Sequence, residues 1–517
     1  MYLVRVTLAL ALAAAAAIPS LPSQAQVTGP SLLVPGLEVE PVVEGLVTPI
    51  SAAFIGPNDL LVLEKNTGRV RRVVDGEVQE PAVLDLSVNS ASERGLLGIA
   101  LHPDFPEDPG VYLFWSCRST AVQDADPFAP EEQECSDAAM TGLPDTDDIL
   151  QVPLLGNRVD RFEWTGTSLV YDRNLVKLLS FQNDGGPVPP GQGDEGQPPR
   201  GNHDGGVLAF GPDEKLYVLF GDAGRRGQLQ NLPDGPLGDG SDDDQFGGPE
   251  PDDAHFTGVI LRLNEDGTAP ADNPFFGAGA AMGGAVGENI QTVFAYGIRN
   301  SFGMAFDPRS GNLWAEENGE DAFDELNLVE PGMNSGWIQV AGPIDRVSQY
   351  KGIETTADHH DGGLPNLQQL RWMPDRIADT PAEARARLFM LPGARYSDPE
   401  FSWTHVIPPA AVGFVEGRGL GSQFEGDLFV GHALPESHEG GWLFRFNLTG
   451  NRRRIAVDDP RLEDRVADNG DFHSLTESES LVVGRDFGVV TDIETGPNGN
   501  LFVVSLTRGA VYEISRS

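Results

Sequence analysis

A chain of 517 residues with 78 acidic and 35 basic side chains carries a formal charge of −43. A surface this anionic repels a polyanion over its whole extent and excludes nucleic acid as a partner. Only two cysteines occur, Cys117 and Cys135, and no Cys-x-x-Cys-His run is present, which excludes an attached c-type haem. Electrons taken from a substrate would therefore leave to a separate acceptor.

The chain begins with one Arg, an apolar stretch and a small-residue end, MYLVRVTLALALAAAAAIPSLPSQA. Ser23 and Ala25 satisfy the small-x-small rule, so residues 1–25 are predicted to be a signal peptide and the protein periplasmic or secreted. The apolar run is too short and too Ala-rich to anchor in a bilayer, and no second one follows. No membrane span is expected after cleavage. An oxidising compartment would pair Cys117 with Cys135 and pin the loop between them, worth roughly 3 kcal/mol.

Residues 26–517 read as a single domain built on a repeat. Its unit is an apolar strand, a turn of the Gly-Pro-Asp/Asn type and a second strand of the form Leu-aromatic-Val. It appears as SAAFIGPNDLLVLE from Ser51, GIALHPDFPEDPGVYLFW from Gly98 and GVLAFGPDEKLYVLFG from Gly206. It returns as GMAFDPRSGNLWAEE from Gly303, more loosely as AVGFVEGRGLGSQFEGDLFVG from Ala411, and as DIETGPNGNLFVVS from Asp492. A strand of alternating character follows each copy, beginning near Gly68, Asn157, Gly258, Asp324, Gly441 and Gly509. Proline presets φ for the turn, and Asn, Asp or Gly tolerate the left-handed positions after it. So short a sheet cannot bury both faces alone, and six copies stacked about an axis predict an all-β, six-bladed β-propeller.

Helical periodicity is scarce, and PAEARARLFM from Pro381 is its clearest candidate. Polar excursions at 121–148, 182–199, 224–253, 341–395 and 455–480 are long enough to be functional, and in a propeller they gather at one mouth of the channel.

Several segments together resemble the soluble quinoprotein sugar dehydrogenases, the glucose/sorbosone dehydrogenase family. They are RGLLGIALHPDF from Arg94, NHDGGVLAFGPDEKLYVLFGDAG from Asn202 and GVILRLNEDGTAPADNPF from Gly258. To these add YGIRNSFGMAFDP from Tyr296, ENGEDAFDELNLVEPGMNSGW from Glu317 and FEGDLFV from Phe424. The resemblance implies oxidation of an aldose, or a similar alcohol, to its lactone with pyrroloquinoline quinone (PQQ) and Ca²⁺. It implies His203 as the general base, because the reaction needs a group titrating near neutrality beside the anomeric hydroxyl. Asp222 would orient that imidazole. Arg299 and Asn300 would contact the quinone, where a guanidinium can hold developing negative charge. Gly319 and Glu320 fall where the family holds calcium through main-chain carbonyls, with Glu320 replacing a common proline. Trp403 aligns with an aromatic lining the cofactor pocket.

The chain also departs from the family. Val489 and Thr491 stand where arginines grip the carboxylates of PQQ, and GHALPESHEGGWLFRF has no lysine at the matching place. Glu93 replaces a glutamine and brings an anion toward an anionic cofactor. Two other readings stay open: a propeller that binds a glycan or protein without catalysis, and a calcium-dependent hydrolase of the lactonase type. His102 reads as structural. His359–His360 are neighbours on a loop and poorly placed to share one ion, and the acid-rich run from Asp239 reads as a solvated loop.

Overall fold

Apolar residues alternate along short β-branched and aromatic runs in every repeat, and turn residues stop each run after three to eight positions. The computed structural model describes residues 29–90, 93–117, 157–178, 203–222, 257–356, 374–434 and 440–517. The expected signal peptide, Cys135, the His359–His360 pair, the acidic run from Asp239 and the excursions at 121–148, 182–199 and 224–253 lie outside these residues. Cys117 is fully buried.

The described strands form six sheets in a β-propeller arrangement. Their first strands are Pro49–Gly56, Leu96–Leu101, Leu208–Phe210, Met304–Phe306, Pro409–Phe414 and Val490–Thr495. All six contribute to the wall of one central channel. The alternating strands predicted after each copy are present and pair antiparallel with the second strand of their sheet. Counted by regular blade geometry there are five blades rather than the six that the repeats predict. The sheets are unequal at their outer edges: one gains Met333–Asn334 and Arg395–Tyr396, another Val466–Ala467, all in parallel pairing.

The ring closes through a distant pairing. Leu37–Glu44, near the start of the described chain, runs antiparallel to Ala510–Arg516 at its end and completes the last sheet. Beside that seam, Asp492 Oδ2 accepts hydrogen bonds from Ser51 Oγ at 2.9 Å and from the Ala52 amide at 2.8 Å, tying the last inner strand to the first. Between sheets the alternate faces interlock: Leu97, Tyr112 and Phe114 of one pack against Leu216, Val218 and Phe220 of the next. Such burial is the main stabilising term of the fold.

The predicted helix is present at Pro381–Arg387, with Thr380 as its N-cap accepting the Glu383 amide. A second helix, Val347–Thr356, packs over Ala322 and Phe323.

Candidate active site

Loops entering the inner strands carry the chemistry. Glu93 precedes Leu96–Leu101, His203 precedes Leu208–Phe210, and Arg299 and Asn300 precede Met304–Phe306. The turn after His203 is tight because Gly206 sits at φ +102°, and a Cβ there would lie 2.6 Å from Leu97 Cβ. His203 itself sits at φ +61°, a conformation that a non-glycine residue keeps only when its surroundings hold it. Two contacts do so. Its amide donates to Glu93 Oε2 at 2.7 Å, and its Nδ1 lies 2.6 Å from Asp222 Oδ1.

Asp222 is fully buried. Its second oxygen accepts the indole N–H of Trp337 at 2.8 Å, and its amide donates to the Arg299 carbonyl at 2.7 Å. Burial pushes the Asp222 carboxyl up, but the charges of His203 and Arg299 and the hydrogen bonds from His203 and Trp337 outweigh it. The group is held below the usual carboxylate range. An ionised Asp222 keeps a proton on Nδ1, which places the lone pair of neutral His203 on Nε2.

Arg299 is held from three sides. Its Nη2 is 2.7 Å from Glu320 Oε2, its Nη1 donates to the Asn318 carbonyl at 3.0 Å, and its Cζ lies 5.5 Å from the centre of the Trp337 ring. Burial opposes the charge, and Glu320 and Asp222 restore it, so the guanidinium stays protonated. Asn300 Nδ2 donates to Glu93 Oε2 at 3.0 Å. One carboxylate oxygen of Glu93 thus joins the base loop to the arginine loop. Near it, burial lowers the Lys65 ammonium to about 8 against the charges of Asp204 and Glu93, with Arg94 beside it.

The structure therefore brings His203, Asp222, Glu93, Arg299 and Asn300 together, and it places one expected residue, Trp403, differently. Glu320, expected beside Gly319 through its main-chain carbonyl, turns its buried side chain to Arg299. Gly319 donates its amide to Asp324 Oδ1 at 2.8 Å. Trp403 was expected against the cofactor, but it is a core residue with no exposed surface, packed on Phe401, Phe444 and Phe446. Its strand alternates like every other, and the alternation alone does not say which face meets the channel. Trp403→Ala is expected to cost about 3–5 kcal/mol of unfolding free energy while leaving PQQ affinity within twofold, checked by denaturant titration and quinone binding.

Two residues at the site were not singled out from the sequence. Trp337 is the aromatic that touches it, and Glu317 accepts the Arg299 amide at 2.8 Å and the Ser335 hydroxyl at 2.8 Å. Both close the ENGEDAFDELNLVEPGMNSGW segment, one at each end, so the segment was visible although their roles were not. At the opposite end of the channel, His102 bonds to Glu265 at 3.0 Å and accepts the Asp104 amide on Nδ1, a structural tie between turns.

The family model for glucose/sorbosone dehydrogenase matches residues 46–141 and 194–372. Over 493 residues the chain is 25% identical to quinoprotein glucose dehydrogenase B of Acinetobacter calcoaceticus, covering 89% of this chain and 84% of that one. It is 31% identical over 326 residues to an uncharacterized protein of Synechocystis, covering 59% of this chain and 60% of that protein's length. A solved oxidoreductase of Thermus thermophilus, described as a glucose dehydrogenase, superposes with a TM-score of 0.55 at 25% identity, covering 93% of this chain and 100% of that one.

Proposed function

The chain belongs to the glucose/sorbosone dehydrogenase family, and from that premise we propose that it oxidises an aldose, or a similar alcohol, to its lactone with PQQ and Ca²⁺ and passes the electrons to a separate acceptor. The observation that supports this most is the His203–Asp222 pair held against the Arg299 loop, with Trp337 touching both. When bound, PQQ would supply the acceptor for the hydride of the sugar's C–H bond, and calcium would supply Lewis acidity.

The chain's own residues would do the rest. His203 Nε2 removes the proton of the anomeric hydroxyl, and Asp222 stabilises the imidazolium that forms. Arg299 supplies a fixed positive potential where negative charge develops on the acceptor oxygen. Asn300 and Asn318 each leave an amide oxygen buried without a hydrogen-bond partner among the described residues. Unused acceptors beside Arg299 suit a cation or a ligand donor, since buried polar atoms are normally paired. Asn318 Oδ1 and the Gly319 carbonyl are oxygen donors of the kind calcium takes. Val489 and Thr491 offer no cation to the carboxylates of the quinone.

We further read the six sheets as six blades, residues 26–517 as one domain, and Cys117–Cys135 as a disulfide of an exported protein cleaved after Ala25. Among the described residues no helix is long and apolar enough to cross a membrane. The test is reconstitution of the full mature chain with PQQ and Ca²⁺. A bound-quinone absorbance and dye reduction with an aldose panel are expected. Absence of both quinone binding and turnover would reject the proposal.

A further inference from the structure

Trp337 is 2% exposed and belongs to a buried cluster with Phe323, Ile338, Val340 and Tyr350. Its amide donates to the Gly297 carbonyl at 3.0 Å, two residues before Arg299. Asn334 Oδ1 accepts the Gly336 amide at 2.9 Å and sets the turn that delivers the indole. The side chain then makes two contacts that belong to different halves of the site. Its N–H donates to Asp222 Oδ2, the oxygen not bonded to His203, and its ring lies beneath the Arg299 guanidinium.

We propose that Trp337 is a positioning residue that sets the proton affinity of His203 through Asp222 while seating Arg299. The inference rests on reading the site as an acid–base centre. A carboxylate whose second oxygen receives a hydrogen bond presents less negative charge to the imidazole at its first. Removing the indole N–H takes one hydrogen bond from that oxygen, leaves more negative charge facing His203 and stabilises the imidazolium. Loss of the donor therefore raises the pH at which His203 releases its proton. The other charged groups around the pair are Glu93 on the His203 amide, Asp204 next in the chain, and Arg299 and Glu317 near Asp222.

The experiment is an NMR titration of the His203 ring in the apoprotein, which needs neither quinone nor turnover. Trp337→Phe keeps a ring under Arg299 and removes only the donor. Its His203 midpoint is expected to rise by about one pH unit, with the acid limb of kcat/KM moving equally in the reconstituted enzyme. In an Asp222→Asn background the same change is expected to add no shift. In the unaltered protein the Trp337 indole N–H resonance should titrate with the His203 midpoint, a readout that stands even where the variant folds poorly. An unmoved indole resonance, an unmoved midpoint in folded Trp337→Phe, or an equal shift in Asp222→Asn would overturn the proposal. Failure of dye reduction alone bears on the redox reading and leaves this one to the titration.

Discussion

His203→Asn is expected to lower turnover by about 10²–10⁴-fold, the range that a positioned general base supplies, with quinone binding retained. Asparagine is the informative replacement for two reasons. It tolerates the left-handed backbone that His203 adopts at φ +61° better than other residues. It also offers an amide N–H to Asp222, so the buried carboxylate keeps a donor and the loop keeps its anchor on Glu93. What it lacks is a nitrogen able to take a proton near neutral pH. Raising the pH should partly recover the rate, since hydroxide then competes with the missing base. Single-turnover reduction of the bound quinone by sugar is the measurement, because it isolates the proton-coupled step from reoxidation by dye. A rate within tenfold of the unaltered protein would remove His203 from the chemistry.

What was legible in the sequence follows the range of the interactions. The turn chemistry of GPN, GPD and DPR acts over four residues, so the inner strands and their hairpins could be read from it. His203 and Asp222 are 19 residues apart, on either side of one hairpin, and their pairing was within reach of the same local reading. Glu93 was not. Its carboxylate reaches the His203 amide 110 residues away and the Asn300 amide 207 residues away. No local pattern encodes that bridge, so a residue that ties two loops together looked instead like an anion opposing the cofactor. Closure of the ring is a still longer contact: Leu37 pairs with Arg516, and an alternating strand at the N-terminal end carries no mark of its partner. Trp403 and Trp337 show the limit for aromatics. Each sits in a segment that resembles the family, and only packing, with Phe401 and Phe446 around one and Asp222 and Arg299 against the other, separates a core ring from a site ring.

Arg299 carries the second large effect, and it divides cleanly between stability and chemistry. Arg299→Met removes a cationic partner of Glu320, whose side chain has no exposed surface, and leaves a buried carboxylate less compensated. Breaking a buried pair from one side costs about 3–5 kcal/mol, most of it the uncompensated charge. Adding Glu320→Leu removes that charge as well. Exchange of a whole buried pair for apolar residues of similar volume is often neutral or better, so the double variant should regain most of the lost stability. Turnover should not follow. A positive group aimed at developing charge contributes about 10²–10³ in rate, and neither variant has one. Denaturant midpoints and quinone reduction by sugar, measured on the single and double variants, are therefore expected to part company. Recovery of both together would mean that Arg299 serves the fold alone.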